Sequence, residues 1–292
     1  MASNSSDNIQ EISLDGHEPK SESLAKSLQG DDFGVNENYV IVDIGANLTN
    51  KKFTRDLDSV VSRAQDAGVT KIIVPGTTVH SSKEALRLTH LYPGVLYSTA
   101  GKCFFFFVFG KYHIEIICNI NTGVHPHEAK TWGDDTLDEL RSLLQQQEVV
   151  AVGECGLDFN RNFSPPELQI QVFEKQVELA CTLKKPLIVH ERDAHAEVLA
   201  VLRRHTAQLP ASVIHCFTGD ADTAKAYLQL GCYIGITGYA WKDKSSEGVR
   251  QILNDGILPL DRLLVETDAP FMYPNTRASK LPQHVKQGLT QR

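Results

Sequence analysis

Short apolar runs rich in valine and isoleucine alternate along the chain with longer segments whose apolar residues recur at helical spacing. The short runs have the length and β-branched composition of buried parallel strands, and the longer segments resemble crossover helices. Eight strands are predicted: Tyr39–Gly45, Lys71–Gly76, Val95–Gly101, Val149–Gly153, Leu187–Val189, Ser212–Cys216, Cys232–Ile236 and Arg262–Thr267. Seven helices are predicted near Thr54–Ala67, Ser81–Leu91, Asp134–Gln147, Pro166–Lys184, Ala194–His205, Ala221–Leu230 and Glu247–Asn254.

This alternation predicts an α/β fold, a TIM (β/α)8 barrel, rather than an open doubly wound sheet. An open sheet that binds a nucleotide would need a glycine-rich turn after its first strand, and the segment DIGANLTN is not such a turn. We therefore expect the barrel domain to span residues 39–292. Residues 1–38 are rich in Ser, Asp, Glu, Asn and Gly without a period, so we expect a disordered tail.

Two features interrupt the barrel pattern. The segment Lys102–Thr122 contains a run of phenylalanines and separates STAG from VHPHEAK, two pieces that read naturally as one strand and turn. It is interpreted either as a hydrophobic hairpin for a membrane or partner, or as translated intron sequence, which is the preferred interpretation. The residues after the eighth strand show little helical period, so the barrel is expected to lack its last helix and to be truncated at its C-terminus.

Composition limits the partners. The formal net charge of −7 gives no basic surface for wrapping duplex DNA, although a bound metal ion can supply positive charge for phosphate. Six cysteines without a CxxC pair indicate reduced thiols. No signal peptide and no apolar run of about 20 residues is found in the sequence. We expect a soluble protein of the cytoplasm or the nucleus, with no membrane association and no predicted protein partner.

At or just beyond the ends of four predicted strands stands a residue whose side chain can bind a metal ion. These residues are Glu154, His190, His215 and Asp268. The carboxyl ends of barrel strands converge on one face, where two imidazoles and two carboxylates form a site for a divalent ion. A single strand-terminal histidine is usually structural, but four such ends in succession indicate a metal-dependent hydrolase. Mg²⁺ is the expected ion, with Zn²⁺ or Mn²⁺ as alternatives, and the site holds one or two ions.

Other polar residues are assigned to catalysis and substrate binding. Asp268 is predicted to ligate the metal and to accept a proton from the attacking water, although an Asp before Pro270 also suits a helix cap. His125 is predicted to contact the scissile phosphate, and His127 to be a surface group. Forked hydrogen bonds from arginine suit phosphate, so Arg161 and Arg192 are candidate substrate-binding residues, although either one alone is more typical of a solvated surface side chain.

Five motifs in order, GECGLDFNRNF, HERDAH, HCFTG, YIGITG and LLVETDAP, resemble the TatD family of metal-dependent deoxyribonucleases. The resemblance runs from Tyr39 to Tyr273 and implies a TIM barrel of the metallo-dependent hydrolase type. It implies hydrolysis of phosphodiester bonds in DNA, commonly as a 3′-to-5′ exonuclease on single strands, with a divalent metal. In this resemblance, Glu154, His190 and His215 match metal ligands, and Asp268 matches the carboxylate of the eighth strand.

The chain departs from the family pattern in two places. Many relatives have two histidines after the first strand, where this chain has Gly45 and Asn47, so the resemblance does not extend to a full two-metal site. Family members also continue past the eighth strand with an Asn-Glu-Pro segment and a final helix. Neither is found before Arg292.

Three functions remain open at this point. The leading hypothesis is a 3′–5′ exodeoxyribonuclease on single-stranded DNA. The same Lewis acid would serve a D-aminoacyl-tRNA deacylase or another ester or amide hydrolase, and the fold does not decide between them. The third is an inactive product of a truncated, intron-containing transcript.

Overall fold

The computed structural model of the chain describes residues 41–92 and 120–274. Its strands are β1 Ile41–Asp43, β2 Val69–Ile72, β3 Val74–Gly76, β4 Ile120–Thr122, β5 Val149–Asp158, β6 Leu187–Arg192, β7 Ser212–His215, β8 Tyr233–Ile236 and β9 Leu263–Val265. Only Ile73 separates β2 from β3, and its N–H donates to the Asp43 carbonyl. These two segments therefore occupy one strand position, and the described strands fill eight positions.

Every described strand pair is parallel. Strands β3 to β9 are hydrogen-bonded in chain order, and β1 pairs with β2. Two backbone bonds join the first strand to the last: Ile44 N–H donates to Val265 O at 3.4 Å, and Asp268 N–H donates to Gly45 O at 2.7 Å. The strands therefore form a ring, which confirms the predicted barrel. The sequence also predicts that a helix is missing after the last strand. That part of the chain lies mostly outside the described residues.

The described α-helices alternate with the strands. They are α1 Leu57–Asp66, α2 Val79–Leu91, α3 Thr136–Leu143, α4 Pro166–Leu183, α5 His195–Arg204, α6 Ala221–Gln229, α7 Tyr239–Lys242 and α8 Val249–Asn254. Seven of them lie where the sequence predicts helices, and only the short α7 is additional. Clear signals set these boundaries: Pro166 opens the first turn of α4, and the Asp220 carboxylate accepts the Thr223 N–H at the start of α6. No helix in the described parts of the chain has the length and apolar character needed to cross a bilayer.

The third strand position differs from the prediction. Ile120–Thr122, which the sequence reading placed in the inserted segment, forms β4 and pairs with β3 and β5. The buried side chain of Asn121 accepts the Gly76 N–H at 3.2 Å, which fixes β4 beside β3. The last three residues of the segment that the sequence marks as an insertion, 102–122, therefore form a barrel strand. The predicted strand Val95–Gly101, the rest of the inserted segment and the N-terminal tail lie outside the described residues.

Two apolar clusters stabilise the ring of strands. The larger lies between strands and helices and includes the fully buried Phe173, Leu202 and Tyr227. The smaller draws residues from several strands and fills the inside of the ring: Val42, Ile44, Ile73, Val150, Ala151, Ile188, Val213 and Leu264. Because a barrel strand is covered on both faces, its sequence is an apolar run without alternation.

The longest strand, β5, is buried along all ten residues and positions two carboxylates. Its pairing with β6 shifts register between Val152 and Cys155. Gly153 in this irregular stretch has φ +137°, and a Cβ there would lie 2.5 Å from the Ile188 carbonyl oxygen. Only glycine permits this close approach of the two backbones. The shift places Glu154 at the open end of the barrel.

Candidate metal centre and active site

A cavity of about 290 Å³ opens at the carboxyl end of the strands. It is lined by all seven residues that the sequence assigns to the site: His125, Glu154, Arg161, His190, Arg192, His215 and Asp268. They come from five strand positions around the ring, so the convergence expected at one face of a barrel is observed. Asn47, His127, Asp158 and Phe271 also line this cavity.

Glu154 stands at the centre of this group. Its Oε1 lies 2.9 Å from His215 Nε2, 3.0 Å from His190 Nδ1 and 3.2 Å from His125 Nε2. Glu154, His125 and His190 offer ligand atoms that lie mutually within 4.8 Å. In a neutral imidazole, the hydrogen bond made by the nitrogen that faces away from Glu154 determines which nitrogen carries the hydrogen. It therefore determines whether a lone pair or an N–H faces Glu154.

In their neutral forms, His215 and His190 both present a lone pair toward the cavity. The Nδ1 of His215 lies 3.3 Å from Glu266 Oε2, so in the neutral ring this nitrogen carries the hydrogen and Nε2 has the lone pair. The Nε2 of His190 lies 3.4 Å from Asp158 Oδ2. This distance is too long for a strong hydrogen bond, but it orients the ring N–H toward Asp158 and leaves Nδ1 facing Glu154.

His125 points an N–H, not a lone pair, toward Glu154. The backbone N–H of His127 donates to His125 Nδ1 at 3.1 Å, so Nδ1 is the acceptor and the neutral ring carries its hydrogen on Nε2. This N–H points toward Glu154 and His190. Burial lowers the pKa of His125 to about 4, so the ring is neutral near pH 7. His125 is therefore suited to donate a hydrogen bond into the cavity, not to ligate an ion.

Three potential ligand atoms thus converge once both imidazoles are neutral: Glu154 Oε1, His190 Nδ1 and His215 Nε2. The two imidazole nitrogens are 3.4 Å apart, and each lies about 3 Å from the carboxylate oxygen. Ligands of one ion at bond lengths of about 2.0–2.2 Å are separated by about 3.0–3.5 Å. The donor set and its spacing therefore fit a divalent cation.

The electrostatics of the cluster favour positive charge between these three ligand atoms. Burial would lower the pKa of His215, but the carboxylates of Glu154 and Glu266 outweigh it and raise the pKa well above its ordinary value. Burial would likewise raise the pKa of Glu154, but attraction to His215 and His125 and hydrogen bonds with His125 and His190 hold it well below its ordinary value. Glu154 therefore stays ionised, and a cation or protons must balance it.

Asp268 faces the same cavity from the last strand position. Its backbone is left-handed, with φ +48°, and its N–H donates to Gly45 O. Burial raises the pKa of its carboxyl to about 7, with His215 opposing and Glu154 adding to the shift. The carboxylate makes no hydrogen bond to any residue in the described ranges, so it is available to water or an ion. The alternative that it caps a helix is wrong, because no described helix begins there.

Two further acidic residues of the site were missed by sequence reasoning. Asp158 accepts from His127 Nε2 at 2.7 Å, and its side chain is only 4% exposed. His127 is accordingly part of the site, and its prediction as a surface group is wrong. Glu266 is buried against His215 and accepts the Cys216 N–H. Strand periodicity contains the missing signal for Asp158, because residues 154, 156 and 158 share one strand face.

The two arginines lie at the cavity mouth. The backbone N–H of Arg161 donates to Asp158 Oδ1 at 2.9 Å, which anchors the loop after β5. The guanidinium of Arg192 is 40% exposed and lies 4.0 Å from Asp193, a weak surface pair. Both charges are available to an anionic substrate at the entrance of the cavity.

Comparison with known proteins identifies relatives with this fold and sequence. The family model described as TatD related DNase matches residues 42–102 and 110–291. A curated protein of Erwinia billingiae, named 3′-5′ ssDNA/RNA exonuclease TatD, is 42% identical over 82% of this chain and 83% of its own length. A second protein with this name, from Edwardsiella piscicida, is 42% identical over 80% of this chain and 81% of its own length.

Solved structures agree with this assignment. The crystal structure of YJJV, a TatD homolog from Escherichia coli, has a TM-score of 0.65 and 30% identity, and the match covers 80% of this chain and 81% of that one. A match that extends over most of both chains and includes the strand-end motifs establishes membership. The chain belongs to the TatD-related DNase family.

Proposed function

We propose that the chain is a metal-dependent 3′–5′ exonuclease that removes nucleotides from the end of single-stranded DNA. Its proposed metal ligands are Glu154, His190, His215 and Asp268. The observation that carries the proposal is the convergence of three acceptor atoms beside the His125 N–H donor and the Asp268 carboxylate, all in one cavity.

A divalent ion held by these ligands would supply Lewis-acid polarisation of a phosphodiester oxygen and acidification of water. Mixed nitrogen and oxygen ligands suit Zn²⁺ and Mn²⁺, and the carboxylates also suit Mg²⁺. We propose Mg²⁺ as the ion in use, with the other two as alternatives and with one or two ions per site. Gly45 offers no ligand, so any second ion depends on Asp158, Asp268 and Asn47.

His125 and Asp268 have separate roles in the proposed reaction. His125 is placed to donate its Nε2–H to a non-bridging phosphate oxygen, because backbone donation to Nδ1 fixes that tautomer. Water attacks phosphorus, the bond from phosphorus to the 3′ oxygen of the preceding nucleotide breaks, and Asp268 takes one proton from the water. The same carboxyl can return this proton to the leaving 3′ oxygen.

The cavity favours a strand end over a duplex. A volume of about 290 Å³ accommodates a nucleotide but not a double helix, and the net charge of −7 gives no surface for duplex binding. Arg161 and Arg192 at the mouth are proposed to hold the phosphates behind the scissile bond. The relatives' names extend the substrate class to single-stranded RNA, which we propose as a second substrate.

Other functions have less support. The deacylase alternative is not favoured, because the curated relatives at 40–42% identity are named as nucleases. The cysteines in the described ranges, Cys155, Cys181, Cys216 and Cys232, are all free thiols. Free thiols suit a reducing compartment, and we propose the cytoplasm or the nucleus.

The test uses single strands labelled at one end. The full chain should release labelled mononucleotide at once from a 3′ label when Mg²⁺, Mn²⁺ or Zn²⁺ is added, and only late from a 5′ label. Glu154→Gln should lower the rate by more than about a thousandfold, since a ligand and its charge are lost. Glu174→Gln, a half-buried carboxylate that pairs with Arg204 and does not line the cavity, is the control and should retain the wild-type rate. Full activity of Glu154→Gln, or release from the 5′ label first, contradicts the proposal.

A further inference from the structure

An exposed aromatic ring stands beside the proposed site. Phe271 lines the cavity together with Glu154 and Asp268, yet its side chain is 51% exposed. Its backbone N–H donates to the Asp268 carbonyl at 2.8 Å, so the ring is carried on the same turn as the proposed proton acceptor. The position of the ring relative to the reacting phosphate is therefore fixed by one short turn.

This turn is also tied to the loop after β1. Asn47 N–H donates to the Ala269 carbonyl at 2.8 Å, and Asp268 N–H donates to the Gly45 carbonyl. Two backbone bonds on either side of Asp268 thus anchor the segment that carries Phe271. A ring held in this way loses little conformational entropy when a flat group stacks against it.

A lysine from the same neighbouring loop accompanies the ring. Lys52 Nζ lies 5.5 Å from the centroid of Phe271, within the range of a cation–π contact. Within residues 41–92 and 120–274, Lys52 has no ion pair with a carboxylate. Its charge is therefore available to an anion that lies next to the ring.

A second exposed ring lies near another part of the cavity lining. Phe163 is 57% exposed, and its ring centroid is 4.8 Å from that of His127. Single exposed apolar side chains need no explanation. Two half-exposed rings near one cavity, with cationic side chains close by, match the combination that single-strand binding proteins use for bases and backbone.

We propose that Phe271 stacks against a nucleobase of the bound single strand and that Lys52 contacts the adjoining phosphate. This subsite rests on the proposed nuclease function, and it adds recognition of the base to recognition of the phosphate. Stacking tolerates every base, so the subsite would promote binding without selecting a sequence. It distinguishes a strand with bases from a bare phosphodiester.

The test is a double-mutant cycle between Phe271 and the base it stacks on. The wild-type chain, Phe271→Ala and Phe271→Trp are compared on single strands in which one of the last three 3′ nucleotides is abasic. The affinity for matching phosphorothioate strands is measured in Mg²⁺ by fluorescence anisotropy, and hydrolysis of the phosphodiester strands is measured separately. Leu260→Ala is the control, because Leu260 is 70% exposed, precedes β9 and does not line the cavity.

At one of the three positions, removing the base should weaken wild-type binding by about tenfold. Phe271→Ala should weaken binding of the intact strand by a similar factor and should then be insensitive to the missing base. Phe271→Trp should retain the sensitivity, and Leu260→Ala should behave as wild type. Equal losses for Phe271→Ala on intact and abasic strands would overturn the stacking proposal while leaving the nuclease function in place. Base-dependent binding without hydrolysis would support the subsite and refute the nuclease function, and no strand binding at all would refute both.

Discussion

The carboxylate of Glu266 occupies the space beside Gly45 that a side chain at this position would need. A Cβ on Gly45 would lie 2.5 Å from Glu266 Oε2, and a Cβ on Gly235 would lie 2.5 Å from Glu266 Oε1. The two glycines form a slot for this fully buried side chain, which is oriented toward His215 Nδ1. Packing therefore requires glycine at position 45, in the loop after the first strand. This glycine also supplies no metal ligand at that position.

Substitution of Gly45 tests this slot. Gly45→Ala should displace the Glu266 carboxylate, disturb the tautomer of His215 and lower both metal affinity and hydrolysis by about tenfold or more. The matched control is Gly133→Ala, because a Cβ there meets no atom within 4 Å. Metal affinity is measured by calorimetry and hydrolysis on a single strand. If Gly45→Ala matches Gly133→Ala in both measurements, the Glu266 position has no influence on the site.

Glu266 itself should act through His215, without contacting the substrate. Glu266→Gln retains the size of the side chain but removes the charge that attracts the Nδ1–H. We expect metal affinity to fall by about 10- to 100-fold, as for other residues that orient a metal-binding histidine. Hydrolysis at saturating metal should recover much of the wild-type rate, which a purely structural defect would not allow. Glu174→Gln is the surface control. A loss of activity that no metal concentration restores would contradict this role.

The sequence predicts the repeating parts of this fold well. Strands such as β6 and helices such as α4 carry their own signals, an unbroken β-branched run in one case and a proline at the first turn in the other. These signals are local, so they can be read without knowledge of the rest of the chain. Glu154, His190, His215 and Asp268 follow directly, since each stands at or just beyond the end of such a run.

The parts that sequence reading missed depend on distant partners. Nothing near Glu266 shows that Gly45 and Gly235 leave room for its carboxylate. His127 becomes a site residue through its contact with Asp158, which is 31 residues further along the chain. Similarly, the sequence predicts Val95–Gly101 as the third strand, whereas pairing with β3 and β5 places Ile120–Thr122 at this position. Long-range contacts of this kind leave no periodic signal.

The choice of strand can be tested at Asn121. Its side chain is buried and accepts the Gly76 N–H, so Asn121→Ala would leave a buried donor unsatisfied. The free energy of unfolding should fall by about 1–3 kcal/mol, measured by urea denaturation. Asn254→Ala, at the exposed end of α8, is the control and should change it by less than about 0.5 kcal/mol. An unchanged stability of Asn121→Ala would indicate that the segment Val95–Gly101 fills this strand position, as the sequence reading proposed.

Metal binding should compete with protons at the cluster. Without an ion, burial lowers the pKa of both rings, but the nearby carboxylates of Asp158 and Glu154 outweigh it and raise the pKa of His190, and those of Glu154 and Glu266 raise that of His215. Both rings must lose a proton before Nδ1 of His190 and Nε2 of His215 can ligate, whereas Glu154 is already ionised because its pKa is lowered. Lower pH therefore favours the protonated, metal-free cluster, and metal affinity should rise from pH 6 to pH 8.

Calorimetry in buffers with different heats of ionisation counts the protons released when Mn²⁺ binds. We expect about one to two protons per ion near pH 7. Glu154→Gln removes the charge that holds both the protons and the ion, so proton release and affinity should fall together. His80→Ala, on the surface of α2, is the control and should release the wild-type number of protons. If the wild-type chain binds the ion with no proton release and no pH dependence, the two imidazoles are not its ligands, and the ion binds elsewhere in the molecule.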